Sequence, residues 1–313
     1  MVGIDPTTVA FLHTKLPHWY RKNFRKLPWR ETSDPYKILV SEIMLQQTPV
    51  RRVEPKFRRL IKTYSTFRSL ARASRADVVR AWQGMGHNNR AVRLRDLARI
   101  VVEEHDGRLP AEVVQLEKLP GIGRYTARAI VCFAHGRRVP VVDVNVRRVL
   151  SRIFWKMKTT LDRKADNAIW QLAEQILPRN AHEWNQALME LGATICTARK
   201  PRCENCPMRA VCSSHMLYAT RLPETTHHSH RKKREPMHAG VPQRFWRGRI
   251  VEALRGVDGT GFLSLTHLGK TIKPDFSKRE LPWLERVVDG LVHDGVIERI
   301  GESRSTKIAL AEE

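Results

Sequence analysis

Leu119-Pro120-Gly121-Ile122-Gly123-Arg124-Tyr125-Thr126-Ala127 is the stretch from which the architecture can be read. It closes one helix-forming segment and opens another. Gly121 and Gly123 permit a tight turn that leaves backbone N–H groups exposed at a helix start, where an anion is welcome. Taken alone, Gly-x-Gly is an ordinary interhelical turn, so its setting decides. On either side, most of residues 8–215 reads as helix. Val78–Trp82 and Asn89–Val102 place apolar residues three and four apart, and short breaks fall at Asp34-Pro35, Gly84-Met85-Gly86, Asp106-Gly107 and Gly136. Strand-like alternation is scarce here. The expectation is a mostly α-helical body with a hairpin turn suited to phosphate.

Charge supports that setting. The 313 residues carry a formal net charge of +24. Residues 1–236 hold 44 Lys/Arg against 21 Asp/Glu, whereas 237–313 hold 12 against 11. A field this basic favours a polyanion, nucleic acid first. No run of about 18 apolar residues and no charged-then-apolar leader is evident, so membrane is excluded as partner and the cytoplasm, at the nucleoid, is the expected location.

Residues 221–240 contain Pro223, His227, His228, His230 and Arg231-Lys-Lys-Arg234 and read as a basic linker. Beyond it, amphipathic runs at Phe245–Leu254, Leu265–Ile272 and Leu284–His293 precede Gly295–Gly301 and Lys307–Leu310. Three helices followed by a two-stranded hairpin predict a small α/β winged-helix-like domain over 241–313. Its near-neutral charge leaves docking of a protein partner as open as DNA binding.

Cys196, Cys203, Cys206 and Cys212 are spaced C-x6-C-x2-C-x5-C. Four thiolates in so short a run can wrap one soft metal centre, with Lys200, Arg202 and Arg209 helping to keep them deprotonated. Spacing alone leaves zinc and a 4Fe–4S cluster both open, although zinc commonly uses two C-x2-C pairs. Cys132, in the apolar run Ala129–Ala134, is expected to be a core thiol.

Two carboxylates stand out. Asp143, in Val139-Pro-Val-Val-Asp-Val-Asn-Val146, is expected to cap a helix and to work chemically. Glu42 lies among apolar residues in Ser41-Glu-Ile-Met-Leu-Gln-Gln-Thr48, on a predicted helix with Gln46 one turn later on the same face. A partly buried carboxylate can stay protonated and serve as a general acid.

Together with Leu27-Pro-Trp-Arg30, Pro35-Tyr-Lys37, Asn185-Gln-Ala187 and Leu191-Gly-Ala193, these motifs resemble the helix-hairpin-helix glycosylase superfamily, most nearly the MutY-type adenine DNA glycosylases. The likeness runs from about Leu27 to Cys212. It implies two helical domains with the DNA between them: 31–135, carrying the hairpin, and a discontinuous one, 1–30 with 136–220, carrying a 4Fe–4S cluster on the four cysteines. It implies a monomer that flips the target nucleotide out of a mispaired or damaged duplex. Glu42 would protonate adenine at N7, and Asp143 would stabilise the oxocarbenium-like sugar, with Asn145 and Tyr125 in support. Gln186 would read the flipped base, with Trp29 and Arg30 lining its pocket. Gln46, Gln47 and Thr48 would face the opposite base.

Tyr125 stands where bifunctional relatives carry an attacking lysine, which implies a monofunctional glycosylase. Where adenine glycosylases usually place an aromatic residue after Gly-Leu-Gly, this chain reads Gly84-Met85-Gly86-His87; Met85 and His87 are the candidates there. The family's usual C-terminal domain resembles a nucleotide hydrolase, unlike the 73 residues after the linker. The expected activity is removal of adenine mispaired with 8-oxoguanine or guanine. Alternatives are a thymine/uracil mismatch glycosylase and a non-catalytic DNA-binding protein with a structural cluster.

Overall fold

The computed structural model describes residues 4–156, 163–219, 235–257, 261–301 and 306–313. The His227–His230 cluster and Arg231–Arg234 lie outside the described residues. The first part is helical: α1 (Pro6–Asn23), α2 (Pro35–Leu45), α3 (Val50–Thr63), α4 (Phe67–Ala71), α5 (Arg75–Ala81), α6 (Asn89–Glu104), α7 (Val113–Leu116), α8 (Arg124–Phe133), α9 (Val144–Trp155), α10 (Arg163–Gln175), α11 (Ala181–Thr194) and α12 (His215–Ala219). By contact density the chain forms two units, and this division differs from the one expected of the sequence. Unit 1 comprises 1–39, 110–118 and 122–228; unit 2 comprises 40–109, 119–121 and 229–313.

In unit 1, α11 packs on α9 and α1. Leu12 and Leu16 of α1 and Trp184, Leu188 and Leu191 of α11 are buried. Side chains of this size contribute on the order of 2 kcal/mol each by leaving water. The helix starts are written in sequence. Asp5 accepts the N–H groups of Thr7 and Thr8 ahead of Pro6, and Asn180 accepts that of Glu183, each satisfying an orphan donor of the first turn.

In unit 2, α6 is the central helix, packed by α4 and α5. Its Leu94, Leu97, Ala98 and Val101 are buried, as the three-and-four spacing requires. The same unit holds the C-terminal segment: β1 (Met237–His238), β2 (Val241–Pro242), α13 (Gln243–Arg255), β3 (Leu263–Ser264), α14 (Leu265–Ile272), α15 (Leu281–His293), β4 (Ile297–Ile300) and β5 (Lys307–Leu310). Trp246, Ile250, Leu268, Leu284, Val288 and Ile308 form its core. The sheet has the order β3-β5-β4, antiparallel throughout, with Ile297 opposite Leu310 and Leu263 opposite Ile308. Helix, strand, two helices and a hairpin is winged-helix topology, as the sequence predicts. The β1–β2 hairpin, which straddles the end of the expected linker at 240, is a difference. Its turn, Ala239-Gly240, is left-handed at both residues (φ +47° and +73°), the form that suits a two-residue hairpin. Two-residue strands are too short to show alternation.

No described helix is long and apolar enough to cross a membrane.

Candidate active site

In unit 1 the site is built on α9 and α11. Asn185, 1% exposed on α11, accepts the Val141 N–H at 3.0 Å and donates to the Val139 carbonyl at 3.0 Å. It thereby satisfies the extended segment that delivers Asp143. Asp143 caps α9, accepting the N–H groups of Asn145 (2.9 Å) and Val146 (2.7 Å), while the Asn145 amide donates to its other oxygen at 2.7 Å. Burial pushes the Asp143 carboxyl above the ordinary aspartate range, against the pull of these donors and of the Arg148 charge. Asn145 is held in turn by Arg148, which donates to its side-chain oxygen (2.8 Å), to the Gly192 carbonyl (2.7 Å) and to the Cys196 carbonyl (2.7 Å). A Cβ at Gly192 would fall 2.7 Å from the Asn145 Cβ and 3.1 Å from its carbonyl oxygen, so glycine is what lets α11 approach α9 here.

Gln186, beside Asn185, is buried. Tyr125, second residue of α8, is half-buried. Trp29 is buried. The Arg30 guanidinium pairs with the fully buried Glu190 at 2.8 Å, and Arg25 pairs with the same carboxylate at 2.6 Å, so the Arg30 charge is already matched. In the hairpin, Gly121 is left-handed (φ +82°) and exposed, which requires glycine. Gly123 has extended backbone and brings no side chain to cap α8.

In unit 2, Glu42 lies on α2 and is 8% exposed. The helix stops at Leu45, which corrects the expectation for Gln46. Gln46 and Gln47 lie in an exposed turn past the helix end, with Gln47 left-handed at φ +54°. Thr48 is buried. Arg90, at the start of α6 and 7% exposed, explains that turn. It donates to the carbonyls of Ile43 (3.0 Å), Met44 (3.0 Å), Gln46 (2.5 Å) and Gly86 (3.2 Å) and to the Thr48 hydroxyl (3.0 Å). A cation at the carbonyl end of α2 is favourable. Burial lowers Arg90 to about 10, which leaves it charged at neutral pH. One guanidinium therefore fixes the 46–48 turn and the 84–88 turn together. In the second turn His87 is exposed and left-handed (φ +46°), between left-handed Gly84 and Gly86 on one side and α6 on the other. Met85, expected to face DNA, is instead buried at 2% exposure, because the flanking glycines turn its side chain inward. Glu42 and Asp143 belong to different units.

The four cluster thiols are free and line one pocket in unit 1 together with Arg152, Arg202, Arg209 and Tyr218. Among the described residues no three His, Cys, Asp or Glu side chains converge on a single ion; the thiols ring a space instead, and the all-sulfur donor set suits iron. Burial pushes Cys206 up to about 12 and raises Cys203 and Cys212, and the nearby Arg209 does not outweigh it at Cys203. The cation bonded to a thiol is Arg152, 3.3 Å from the Cys196 Sγ. Iron must displace these protons to bind. Cys132 is buried as expected and burial raises it to about 11.

Residues 40–175 match the HhH-GPD superfamily of base excision DNA repair proteins, and 196–212 match the iron–sulfur binding domain of endonuclease III. The adenine DNA glycosylase of Mycolicibacterium smegmatis is 39% identical across 93% of this chain and 94% of its own length. The chain belongs to the HhH-GPD superfamily, among the adenine DNA glycosylases. It carries a 4Fe–4S cluster. The thymine/uracil-DNA glycosylase of Methanothermobacter thermautotrophicus is 35% identical to this glycosylase over 65% of the chain and 92% of its own length. A thermostable thymine-DNA glycosylase structure superposes with a TM-score of 0.63 at 32% identity, covering 67% of the chain and 98% of that structure.

Arg90 and Arg148 are the residues of the glycosylase's site that sequence reasoning missed. Arg90 left a signal: with Leu94, Leu97 and Val101 it occupies one face of α6, so the apolar stripe begins with an arginine. Arg148 left little, because beyond its own helix, where it meets Asn145, its partners are the carbonyls of Gly192 and Cys196, 44 and 48 residues away.

Proposed function

We propose that this DNA glycosylase removes adenine mispaired with 8-oxoguanine or guanine. One observation carries the choice of adenine: the match to the adenine DNA glycosylase covers 93% of the chain and so takes in part of the C-terminal winged helix, whereas the match to the thymine/uracil relative covers 65%.

The chain binds duplex DNA through its basic body, with the Gly121–Gly123 hairpin offering backbone N–H groups to a phosphate. The adenine nucleotide is flipped out. Gln186 reads the base, and Trp29 and Arg30 wall its pocket, Arg30 through its fixed shape rather than its matched charge. Glu42 donates a proton to adenine N7 from an apolar setting, turning the base into a leaving group. The N-glycosidic bond breaks with its electron pair going to the base, the Asp143 carboxylate stabilises the cationic sugar that remains, and a water adds at C1′ and loses a proton to leave the abasic site. Asn145 holds that carboxylate in orientation, and Tyr125 packs beside the sugar without an amine to attack it, so no strand-cleaving Schiff base forms. Gln46, Gln47, Thr48 and His87 meet the opposite base. Cys196, Cys203, Cys206 and Cys212 hold the cluster, which when bound supplies four metal–thiolate bonds to the 196–212 loop. The working partition is 31–135 against 1–30 with 136–220, the winged helix attached through 221–240; the enzyme acts as a cytoplasmic monomer at the nucleoid.

Glu42→Gln tests this reading, assayed on duplexes carrying A:8-oxoG, A:G, T:G and U:G. Wild type is expected to release adenine alone, and the variant to lose about 10²–10⁴-fold in single-turnover rate while still binding duplex. Thymine or uracil release by the wild type would instead support the mismatch alternative.

A further inference from the structure

Within unit 2 the winged helix is fastened to the helical body beside the 82–88 turn. Arg255, the last residue of α13, has a side chain only 6% exposed. It donates from Nε and Nη2 to the Val79 carbonyl at the end of α5 (3.1 and 2.8 Å) and from Nη2 to the Asn88 side-chain oxygen (2.9 Å). Its remaining nitrogen pairs with Glu252, which in turn accepts from Gln83 at 3.0 Å. Further along the same side, the Arg75 N–H donates to the Glu312 carbonyl at 3.2 Å. Contacts therefore bracket its Gly84–His87 centre: Val79 and Gln83 before it, Asn88 after it.

The turn needs bracketing. Gly84, Gly86 and His87 are all left-handed, and a non-glycine residue such as His87 is strained there. Asn88 occupies the cap position of α6 and makes no cap bond with its side chain, although asparagine is among the residues that cap best. Its oxygen is taken by Arg255 instead. From the inner side, Arg90 and the Trp82 indole N–H hold the Gly86 carbonyl at 3.2 Å. His87 thus stands on a turn gripped from inside by the helical body and from outside by the winged helix.

We propose that Arg255 is a positioning residue for reading the base opposite the excised adenine, and that the winged helix serves catalysis by bracing the 82–88 turn. This rests on the reading that His87 faces that base. It gives the near-neutral domain a task that requires no DNA contact of its own.

The test uses the full-length, cluster-bearing protein with Arg255→Met, which keeps the aliphatic stem and removes the donors. Two readouts are taken: hydrogen exchange of the amides of 82–91, and single-turnover base release from A:8-oxoG and A:G duplexes. Loss of one hydrogen bond from a charged donor corresponds to at least about tenfold. Exchange is expected to quicken about tenfold or more, and the preference between the two duplexes to fall several-fold. A merely structural role would lower both rates together and leave their ratio unchanged. Arg255→Lys, with one donor group in place of a fork, should recover part of the preference. If Arg255→Met does not fold, Asn88→Ala removes the acceptor from the turn alone and is expected to act in the same direction. Unchanged exchange, or faster exchange with an unchanged preference, overturns the proposal. Wild type that releases no adenine from either duplex would refute the functional reading instead, and the exchange measurement would still decide the brace.

Discussion

Asp143 and Glu190 lie in the same unit on helices packed against each other, and their carboxyls are handled in opposite ways. Glu190 is fully buried, and burial alone would raise it. Arg25 and Arg30 hold it below the ordinary glutamate range. Asp143 is capped by two backbone N–H groups and the Asn145 amide, the Arg148 guanidinium reaching it through Asn145 rather than directly, and burial raises it. One charge is cancelled inside the protein. The other is oriented by neutral donors and left for something the protein does not supply. That is the arrangement expected when one carboxylate holds helices together and the other meets a cation that exists only in a transition state.

The largest effect should come from Asp143→Asn. Asparagine caps a helix as well as aspartate does, so the start of α9 is preserved while the charge is lost. Single-turnover adenine release is expected to fall by about 10²–10³, the usual cost of removing one electrostatic stabiliser of a transition state. Melting temperature at neutral pH should be unchanged or higher, since a raised carboxyl pKa means that ionised Asp143 burdens the fold. A clear drop in melting temperature would make Asp143 a second structural carboxylate and erase the contrast.

Glu190→Gln should show the reverse balance. Removing the acid leaves Arg25 and Arg30 without their counter-charge, and losing one member of a buried pair costs about 3 kcal/mol. Stability measured by denaturant should drop accordingly. Adenine release well below the melting temperature should fall less than about tenfold, far short of the loss at Asp143. Equal losses of activity in the two variants would mean that Glu190 acts on the reaction through Arg30.

How far these roles could be read in the sequence depends on where each partner lies. Asp143 was legible because a lone acid in an apolar run opening a helix has few other uses, and its cap partners are its own neighbours. The four cysteines and the Gly121 turn were legible for the same reason. Glu190 was not, since it sits mid-helix and its cations are 160 and 165 residues away. Most of the partners of Arg90 and Arg148 are backbone carbonyls, which carry no residue identity at all. Gln46 was placed on α2 because periodicity cannot see a helix end set by a guanidinium from another helix. Met85 was placed at the DNA because its motif position suggests a surface, while the glycines on either side decide which way it points. The winged-helix elements were read within a few residues, but the clustering of that domain with 40–109 depends on Arg255 and Arg75, which look like ordinary surface charges in a helix sequence.

The smallest expected effect, and the sharpest form of the comparison, is in the pH dependence of stability. Glu190 has a lowered pKa in the folded state, so it contributes stability that is present above the unfolded glutamate value near 4.5 and is lost as pH falls through its folded value. The deficit of Glu190→Gln relative to wild type should therefore be full at neutral pH and shrink on acidification below that point. Asp143 has a raised pKa, so the stability linked to its proton is present below the unfolded value near 3.8 and is lost as pH rises through the folded one. Any advantage of Asp143→Asn over wild type should likewise be full at neutral pH and vanish towards acid, with the opposite sign. Measuring each variant against wild type in parallel at every pH removes the acid sensitivity of the cluster, which all three proteins share. Two differences of opposite sign converging towards zero in acid would establish that the carboxylates differ in electrostatic function. Differences of the same sign would show that neutral donors stabilise the Asp143 charge as effectively as two arginines stabilise Glu190.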